Sequence, residues 1–335
     1  LKDLSIIIVN YHSSALIIPC LQTVYAYTKR IDFEIIVVDN NSGPEEKEWI
    51  LAAFPEISWI QMDYNAGFAR ANNEGIRHTN AQTILLLNAD TLLDSPAIEK
   101  CYQLFMESSF IACGVQLLNE DRSPQISGNY FTPGGLNSLL PLPYFGKFIK
   151  WMGQLTGVRK PNLPDANSTV RVDWINGAFL MVKKHSIDVV GLLDEDFFLY
   201  AEEAEWCYRL GKNGPLCIFG AFKIIHLQGE TAVRTFGSNN KSYFNIFDKK
   251  GLQIILSNLV RIRKQFGWPW FLIIYFFYLL DIPVFFIGWL FDSIFNAGKP
   301  SFDIQQFKGY CINMYKLSGY LFKILRNKHY FYKAI

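Results

Sequence analysis

The chain has no C-x-x-C pair among its six cysteines, Cys20, Cys101, Cys113, Cys207, Cys217 and Cys311, and none keeps a zinc-type spacing to a histidine. That excludes a thioredoxin-like redox motif and a structural zinc cage, and leaves reduced, buried thiols. No internal repeat or low-complexity tract occurs, so solenoids and disordered arms are excluded too. A glycine-rich, Lys- or Arg-bearing loop after the first strand is also missing. Asn10-Tyr11-His12-Ser13-Ser14 stands there instead, which counts against a nucleotidyltransferase. No basic-then-apolar segment precedes that strand, which points to a cytoplasmic location, although the first residue is not Met.

Acidic residues are scarce in one part only. Residues 1–240 hold 19 Lys and Arg against 26 Asp and Glu, whereas residues 241–335 hold 13 against 4, so a net charge of +2 conceals about −7 followed by +9. A basic, aromatic tail fits an anionic surface, and its long apolar runs fit lipid headgroups better than nucleic acid. Half the residues are apolar and 16% aromatic. This is too rich for disorder and too mixed with charge for a polytopic membrane protein.

What is present between Leu4 and Asp90 is an alternation of short β-branched runs with helical stretches: Ser5–Val9, Ala15–Thr28; Glu34–Val38, Glu45–Phe54; Ile57–Gln61, Gly67–His78; Thr83–Leu87. Continuous apolar strands separated by helices mean a mainly parallel sheet with helices on both faces, an α/β doubly wound start. Such sheets bind ligands at the carboxyl ends of their strands. The polar residues fall there: Asn10 and Tyr11, Asp39 and Asn40, Asn65 and Gly67, Asn88 and Asp90. From Asn119 to Asn167, Pro124, Pro133, Gly134, Gly135, Pro141, Pro143, Pro161 and Pro164 break any long element. That stretch reads either as an apolar flap over an acceptor or as a packed excursion with small helices. Further on, Val172–Lys183, the acidic Asp194–Gly211 and a short strand Leu216–Phe219 restore order.

Several residues have the chemistry of a phosphate and cation site. Asp90, closing the buried run Ile84–Leu87, reads as a ligand for Mg²⁺ or Mn²⁺ on a diphosphate or as the cap of the next helix. Asp39 reads as an acceptor for a nucleobase or ribose, or as the start of a turn through Asn40-Asn41-Ser42-Gly43. Asn65-Ala66-Gly67-Phe68-Ala69-Arg70 opens a helix with glycine near its start, where backbone N–H groups and Arg70 can meet an anion. Glu202 and Glu203 follow the bulky run Phe197–Tyr200, which suits a general base and equally suits a helix macrodipole. His226 ends an apolar run and reads as a metal ligand or a packed imidazole.

Taken in order, Ser5-Ile6-Ile7-Ile8-Val9-Asn10-Tyr11, Val37-Val38-Asp39-Asn40, Asn65-Ala66-Gly67-Phe68-Ala69, Leu86-Leu87-Asn88-Ala89-Asp90-Thr91, Trp174-Ile175-Asn176-Gly177-Ala178-Phe179, Phe197-Phe198-Leu199-Tyr200 with Glu202-Glu203, and His226 resemble the inverting family-2 glycosyltransferases of the GT-A fold, in particular their bacterial rhamnosyltransferase-like branch. The likeness covers roughly residues 3–235. It implies that Val9, Tyr11, Asp39, Asn65, Gly67, Arg70, Asn88, Ala89 and Asp90 hold a dTDP- or UDP-linked sugar. It also implies that Trp174, Asn176 and Gly177 lie on the acceptor side. Asp90 and His226 would bind Mg²⁺ or Mn²⁺, and Glu203, or its neighbour Glu202, would be the base. Two departures stand out: Asn88 replaces the first carboxylate of the family's Asp-x-Asp, and Glu203 replaces the usual Asp.

The expected architecture is a catalytic domain over residues 1–240, with a nucleotide-sugar half to about residue 118 and an acceptor half to 240. A helical extension, 241–335, follows. In it Phe266–Phe291 is about long enough to cross a bilayer, but Asp281 and Pro283 interrupt its centre. Trp268, Trp270 and Trp289 resemble an interfacial belt, and Arg261, Arg263, Lys264, Lys316, Lys323, Arg326 and Lys328 flank them. The expectation is helices lying on the inner face of a bacterial cytoplasmic membrane, with packing on protein or in a homodimer as the alternative. A glycan or lipid-linked acceptor and a role in cell-envelope polysaccharide synthesis follow from the resemblance. So does a second reading, a catalytically weak sugar-nucleotide-binding scaffold.

Overall fold

The computed structural model describes residues 2–155, 162–163, 165–227, 245–295 and 300–334. The chain forms two compact units, one of Leu1–Tyr130, Asn162–Phe198 and Glu202–Thr231, the other of Phe131–Pro161, Leu199–Ala201 and Ala232–Ile335. The proline- and glycine-broken segment thus divides between the units, and its centre groups with the carboxyl-terminal helices.

In chain order the first unit begins β1 (Leu4–Asn10), α1 (Ser14–Tyr27), β2 (Phe33–Asp39), α2 (Pro44–Ala53), β3 (Ser58–Gln61), α3 (Gly67–Arg77), β4 (Thr83–Leu87), β5 (Thr91–Leu92), α4 (Ala97–Glu107), β6 (Ala112–Leu118) and β7 (Gly128–Asn129). A 3-10 segment, Pro133–Leu139, and α5 (Phe145–Leu155) of the second unit come next. The first unit resumes with β8 (Asn162–Leu163), β9 (Thr169–Val172), β10 (Trp174–Ile175), β11 (Phe179–Lys183), α6 (Lys184–Val190), α7 (Glu202–Gly211) and β12 (Leu216–His226).

The main sheet runs β3-β2-β1-β4-β11-β6-β12-β5, with β9 paired to β12; β10-β7-β8 form a small second sheet. Strands β1 to β4 are mutually parallel, β6 and β12 are parallel to each other, and β11 is antiparallel to both β4 and β6. Alternate residues feed two cores. Ile6, Ile8, Val37 and Leu85 join α1 and α4 residues on one face, while Ile7, Ile36, Val38 and Leu86 join Ala69, Ala71 and Ile76 of α3 on the other. Burial on both faces is why these strands read as unbroken apolar runs.

One strand is longer than its sequence pattern. The apolar run ends at Phe219, yet β12 continues to His226 past a register shift between Phe219 and Lys223. Gly220 permits this, because a Cβ there would stand 2.3 Å from the Ala166 carbonyl oxygen. The bulge carries His226 opposite Thr91 of β5.

The second unit adds α8 (Lys249–Phe266), α9 (Trp268–Phe295), α10 (Ile304–Ser318) and α11 (Leu321–Leu325). Asp248 caps α8 through the Gly251 N–H at 2.9 Å, and Asp303 with Gln306 makes a capping box on α10. The core gathers Ile255, Leu256 and Leu259 of α8, Phe271, Ile274, Tyr278 and Phe285 of α9, and Tyr310 and Leu317 of α10. Asp281 and Pro283 do not interrupt α9, which runs helical through both. Packing against α8 and α10 outweighs the one backbone hydrogen bond that proline removes.

Asp281 is 1% exposed, and neither carboxylate oxygen has a hydrogen-bond partner among the described residues. Burial pushes its pKa up to about 8; the Tyr278 and Tyr310 hydroxyls are raised too, first by their own burial and then by Asp281, with Arg261 acting oppositely on Tyr278. The folded state therefore holds a proton that the unfolded chain releases near pH 4, so stability falls as pH rises from about 4 to about 8. Asp281→Asn removes that slope. In thermal melts the variant should match wild type near pH 4 and exceed it by on the order of 2–5 kcal/mol at pH 8. Equal pH slopes for both proteins would refute this.

Candidate functional site

Because β1, β2 and β4 are parallel, their carboxyl ends share one edge of the sheet. Asn10 and Asp39 pair in register there, and the Asn10 amide donates to Asp39 Oδ1 at 2.6 Å and to Glu46 Oε2 at 3.2 Å. Asp39 also accepts from the Ser42 N–H at 2.8 Å and Gln61 Nε2 at 2.7 Å, while Glu46 accepts from the Ser14 N–H and hydroxyl. This network holds the turns after β1 and β2 in fixed positions. Val9 and Tyr11 flank it half-buried, with the Tyr11 ring edge-on to His12 at 4.7 Å. Glu46 carried no signal as a partner in the sequence, because its reach depends on where α2 starts.

The entry to α3 is equally constrained. Asn65 Oδ1 accepts from the Gly67 N–H at 3.1 Å, and Asn40 bridges the Ala66 N–H and the Gly67 carbonyl. Gly67 has φ +78°, and a Cβ on it would stand 2.0 Å from the Phe198 carbonyl oxygen, so only glycine fits. Arg70 donates through Nε to the Glu195 carbonyl at 3.0 Å and through Nη1 to the Tyr64 hydroxyl at 3.0 Å. The residue read as an anion partner thus also ties α3 to the segment before α7.

The turn after β4 brings the central pair together. Asp90 is followed by β5, and α4 starts only at Ala97, so Asp90 is not a helix cap. It is 6% exposed, with Oδ1 3.3 Å from Nε2 of His226, itself 4% exposed. The Leu227 N–H bonds the Asp90 carbonyl at 2.9 Å and locks the two strand ends together. Asn88 places its amide nitrogen 3.4 Å from the same imidazole nitrogen, and Ala89 between them is buried. The far side of the ring is held by a residue with no sequence signal, Gln125, whose Oε1 lies 2.9 Å from Nδ1.

A carboxylate oxygen and an imidazole nitrogen 3.3 Å apart lie near the edge of an octahedron with bonds of about 2.1 Å, so the pair fits a small divalent cation. Among the described residues no group of three or more His, Cys, Asp or Glu forms a fuller cage. Two protein ligands with the remainder from phosphate and water suit Mg²⁺ or Mn²⁺.

Beside this pair β11 starts, with Phe179 opposite Leu87 and the Asn88 N–H bonded to the Ala178 carbonyl at 3.0 Å. Gly177 therefore sits at the same edge. A Cβ on it would touch Glu203 Cβ and Cγ and Phe68 Cζ at 3.6 Å, which places Glu203 against the loop before β11. Of the two acidic candidates, Glu202 is 3% exposed, whereas Glu203 is half-buried and can face a ligand. Glu205 is committed elsewhere, to a bidentate pair with Arg209 at 2.8 to 2.9 Å. Asn176 shapes the loop, accepting from the Ala178 N–H at 2.9 Å and donating to the Ile126 carbonyl at 3.2 Å. The Trp174 indole N–H is buried and has no partner among the described residues.

Comparison with known proteins places this geometry. Residues 5–163 match the family model "Glycosyl transferase family 2". Over 214 residues the chain is 31% identical to a low-salt glycan biosynthesis hexosyltransferase of Haloferax volcanii, covering 62% of each chain. It is 24% identical over 212 residues to a dTDP-rhamnosyl transferase of Shigella flexneri, covering 61% of this chain and 63% of that one. A rhamnosyltransferase of Escherichia coli is 26% identical over 204 residues, covering 58% and 72%. The chain thus spans 62% and 63% of the length of the first two relatives. Among solved structures, a mannosyltransferase of Pyrobaculum calidifontis with GDP-Man and Mn²⁺ superposes with a TM-score of 0.53 at 12% identity, covering 97% of this chain and 82% of that one. GalNAc-T7 with UDP, GalNAc and Mn²⁺ gives 0.51 at 15%, covering 79% and 54%. At these identities the likeness concerns the fold, which is GT-A.

Proposed function

We propose that this chain, whose residues 5–163 match the model of glycosyl transferase family 2, transfers a hexose from a nucleoside diphosphate to a glycan or lipid-linked acceptor with inversion at the anomeric carbon. The observation that carries this reading is the Asp90–His226 pair at the strand ends, with Glu203 beside Gly177 at the same edge. Rhamnose is the favoured sugar, supported by the names of two relatives, and dTDP, named for one of them, or UDP is the carrier.

Asp39 and the Asn10 network receive the nucleoside, and Asn65 and Gly67 shape the wall of that pocket. Asp90 and His226 would hold a Mg²⁺ or Mn²⁺ ion, which would supply positive charge against a departing diphosphate. Glu203 takes the proton from the acceptor hydroxyl as its oxygen bonds to the anomeric carbon, and the bond to the diphosphate oxygen breaks on the opposite face. Trp174 and Gly177 border the acceptor. The half-buried Asn176 amide keeps Gly177 in place.

The second unit is the candidate for membrane attachment. Helix α9 has the length and apolarity to cross a bilayer. Its exposed face carries Phe276, Phe286, Phe291 and Phe295, while Asp281 turns inward. On α5, Phe148, Trp151, Met152 and Leu155 form a helical stripe that points outward, flanked by exposed Lys147 and Lys150, and Phe145 stacks on Phe277 of α9 at 5.3 Å. An outward apolar stripe with a basic rim fits an anionic lipid surface, on which both helices lie. Flotation with vesicles containing phosphatidylglycerol, and not with phosphatidylcholine alone, is expected; equal partitioning to neither would refute attachment.

The test of activity is nucleoside diphosphate release from dTDP-rhamnose and UDP-hexoses with Mg²⁺ or Mn²⁺, with and without lipid-linked acceptors. Metal-dependent release from one donor supports the transferase. Tight donor binding with no release across the panel would favour a sugar-nucleotide-binding scaffold instead.

A further inference from the structure

Gln125 lies in a short connection that neither strand periodicity nor any motif marks, yet it is one of the most constrained side chains in the first unit. It is 7% exposed. Its backbone N–H bonds the Leu117 carbonyl at 2.8 Å, and its carbonyl accepts from Gln116 Nε2 at 2.9 Å and the Ser127 hydroxyl at 3.1 Å. Its side-chain Nε2 donates to the His226 carbonyl at 2.6 Å and to Asn119 Oδ1 at 2.7 Å. Asn119 is in turn oriented by donating from Nδ2 to the Ser123 hydroxyl at 2.8 Å.

These contacts decide which way the amide faces. Both partners of Nε2 are acceptors, so a flipped amide would set oxygen against oxygen twice, and Oε1 must be the atom 2.9 Å from His226 Nδ1. An amide oxygen can only accept. The imidazole therefore carries a proton on Nδ1, which leaves Nε2, 3.3 Å from Asp90 Oδ1, as the ring nitrogen that can offer a lone pair to a cation. Two electron-rich atoms 3.3 Å apart with no proton required between them are what a cation needs.

We propose that Gln125 is the positioning residue of the cation site: by accepting from Nδ1 it fixes the tautomer and ring plane of His226 and so sets the Nε2 lone pair beside Asp90. This rests on the assignment of Asp90 and His226 as cation ligands. Orientation of a ligating histidine from its far nitrogen typically changes metal affinity by roughly 10- to 100-fold.

The test is Mn²⁺ affinity of the full chain, read by electron paramagnetic resonance with UDP present, for wild type, Gln125→Met, Gln125→Glu and Asp90→Asn. Gln125→Met keeps the side-chain length and removes the acceptor. It should weaken Mn²⁺ binding by roughly 10- to 100-fold with an unchanged circular dichroism spectrum. Gln125→Glu keeps an acceptor for Nδ1 but loses both bonds that Nε2 donates, so it should bind Mn²⁺ more tightly than Gln125→Met and less tightly than wild type. Wild-type protein gives an independent reading: ¹⁵N resonances of the His226 ring, assigned by comparison with His226→Ala, should report a protonated Nδ1 and a bare Nε2 with Mg²⁺ bound. If Asp90→Asn loses Mn²⁺ while Gln125→Met keeps wild-type affinity, the positioning role is overturned and the cation site stands. If Nε2 of the ring stays protonated with Mg²⁺ bound, His226 is not a ligand, and the role of Gln125 falls with that assignment. If Asp90→Asn itself keeps wild-type affinity, the cation site falls and the role of Gln125 falls with it.

Discussion

Glu203→Gln should lower kcat for sugar transfer by about 10²–10⁴-fold, the usual contribution of a general base, while a nucleoside diphosphate with Mn²⁺ binds as it does to wild type. The substitution keeps the volume of the side chain and removes its ability to take a proton. Glu203 is the right member of the pair to test, because its Cβ and Cγ lie against the Gly177 loop beside the Asn88 strand end, whereas Glu202 is buried. Glu202→Gln provides the contrast. It should alter the melting temperature more than the rate, because a buried side chain acts through packing and hydrogen bonding. A Glu203→Gln enzyme that transfers at a near wild-type rate, alongside a dead Glu202→Gln enzyme, would reverse the assignment. Loss of nucleotide binding in Glu203→Gln would instead show a structural role.

Asp90→Asn should be as damaging by a different route. Replacing a charged ligand by an isosteric amide leaves the turn into β5 intact but removes the only carboxylate facing His226 Nε2 among the described contacts. A cation lost from a departing diphosphate is worth several kcal/mol, on the order of 10³-fold in kcat/KM. The signature that separates this from the loss of a base is metal dependence. Nucleotide affinity in Asp90→Asn should no longer respond to Mn²⁺, whereas Glu203→Gln should respond fully. Calorimetric titration of UDP with and without Mn²⁺ reads both. A retained Mn²⁺ response in Asp90→Asn would remove this residue from the cation site.

Much of this arrangement is visible along the chain because it is local. Ile6 to Val9, Ile35 to Val38 and Ile84 to Leu87 are apolar on both faces since helices cover both, and the polar residues that follow each run mark where the strand leaves the sheet. Gly67 is legible as the glycine at a helix entry, whereas its positive φ and its approach to the Phe198 carbonyl belong to the fold. The basic, aromatic character of the last 95 residues is likewise a property of composition, counted from 241 to 335.

What the linear pattern leaves open are choices made by residues far apart. Whether Asp90 caps a helix or faces an imidazole depends on the bulge in β12 that delivers His226 to Thr91, and a bulge has no signature beyond the small residue Gly220. Choosing between Glu202 and Glu203 takes the rotation of α7 against the Gly177 loop, which neighbouring identical side chains do not encode. Gln125 stands 101 positions from His226, and an isolated glutamine in an irregular stretch carries no period to reveal its partner. The amino-acid sequence alone determined the parallel sheet, the polar edge at its strand ends and the basic tail, since periodicity and charge act between near neighbours. Tertiary structure decided which of those polar residues meet, because a cation or a base is held by side chains converging in space from strands that are distant in the chain.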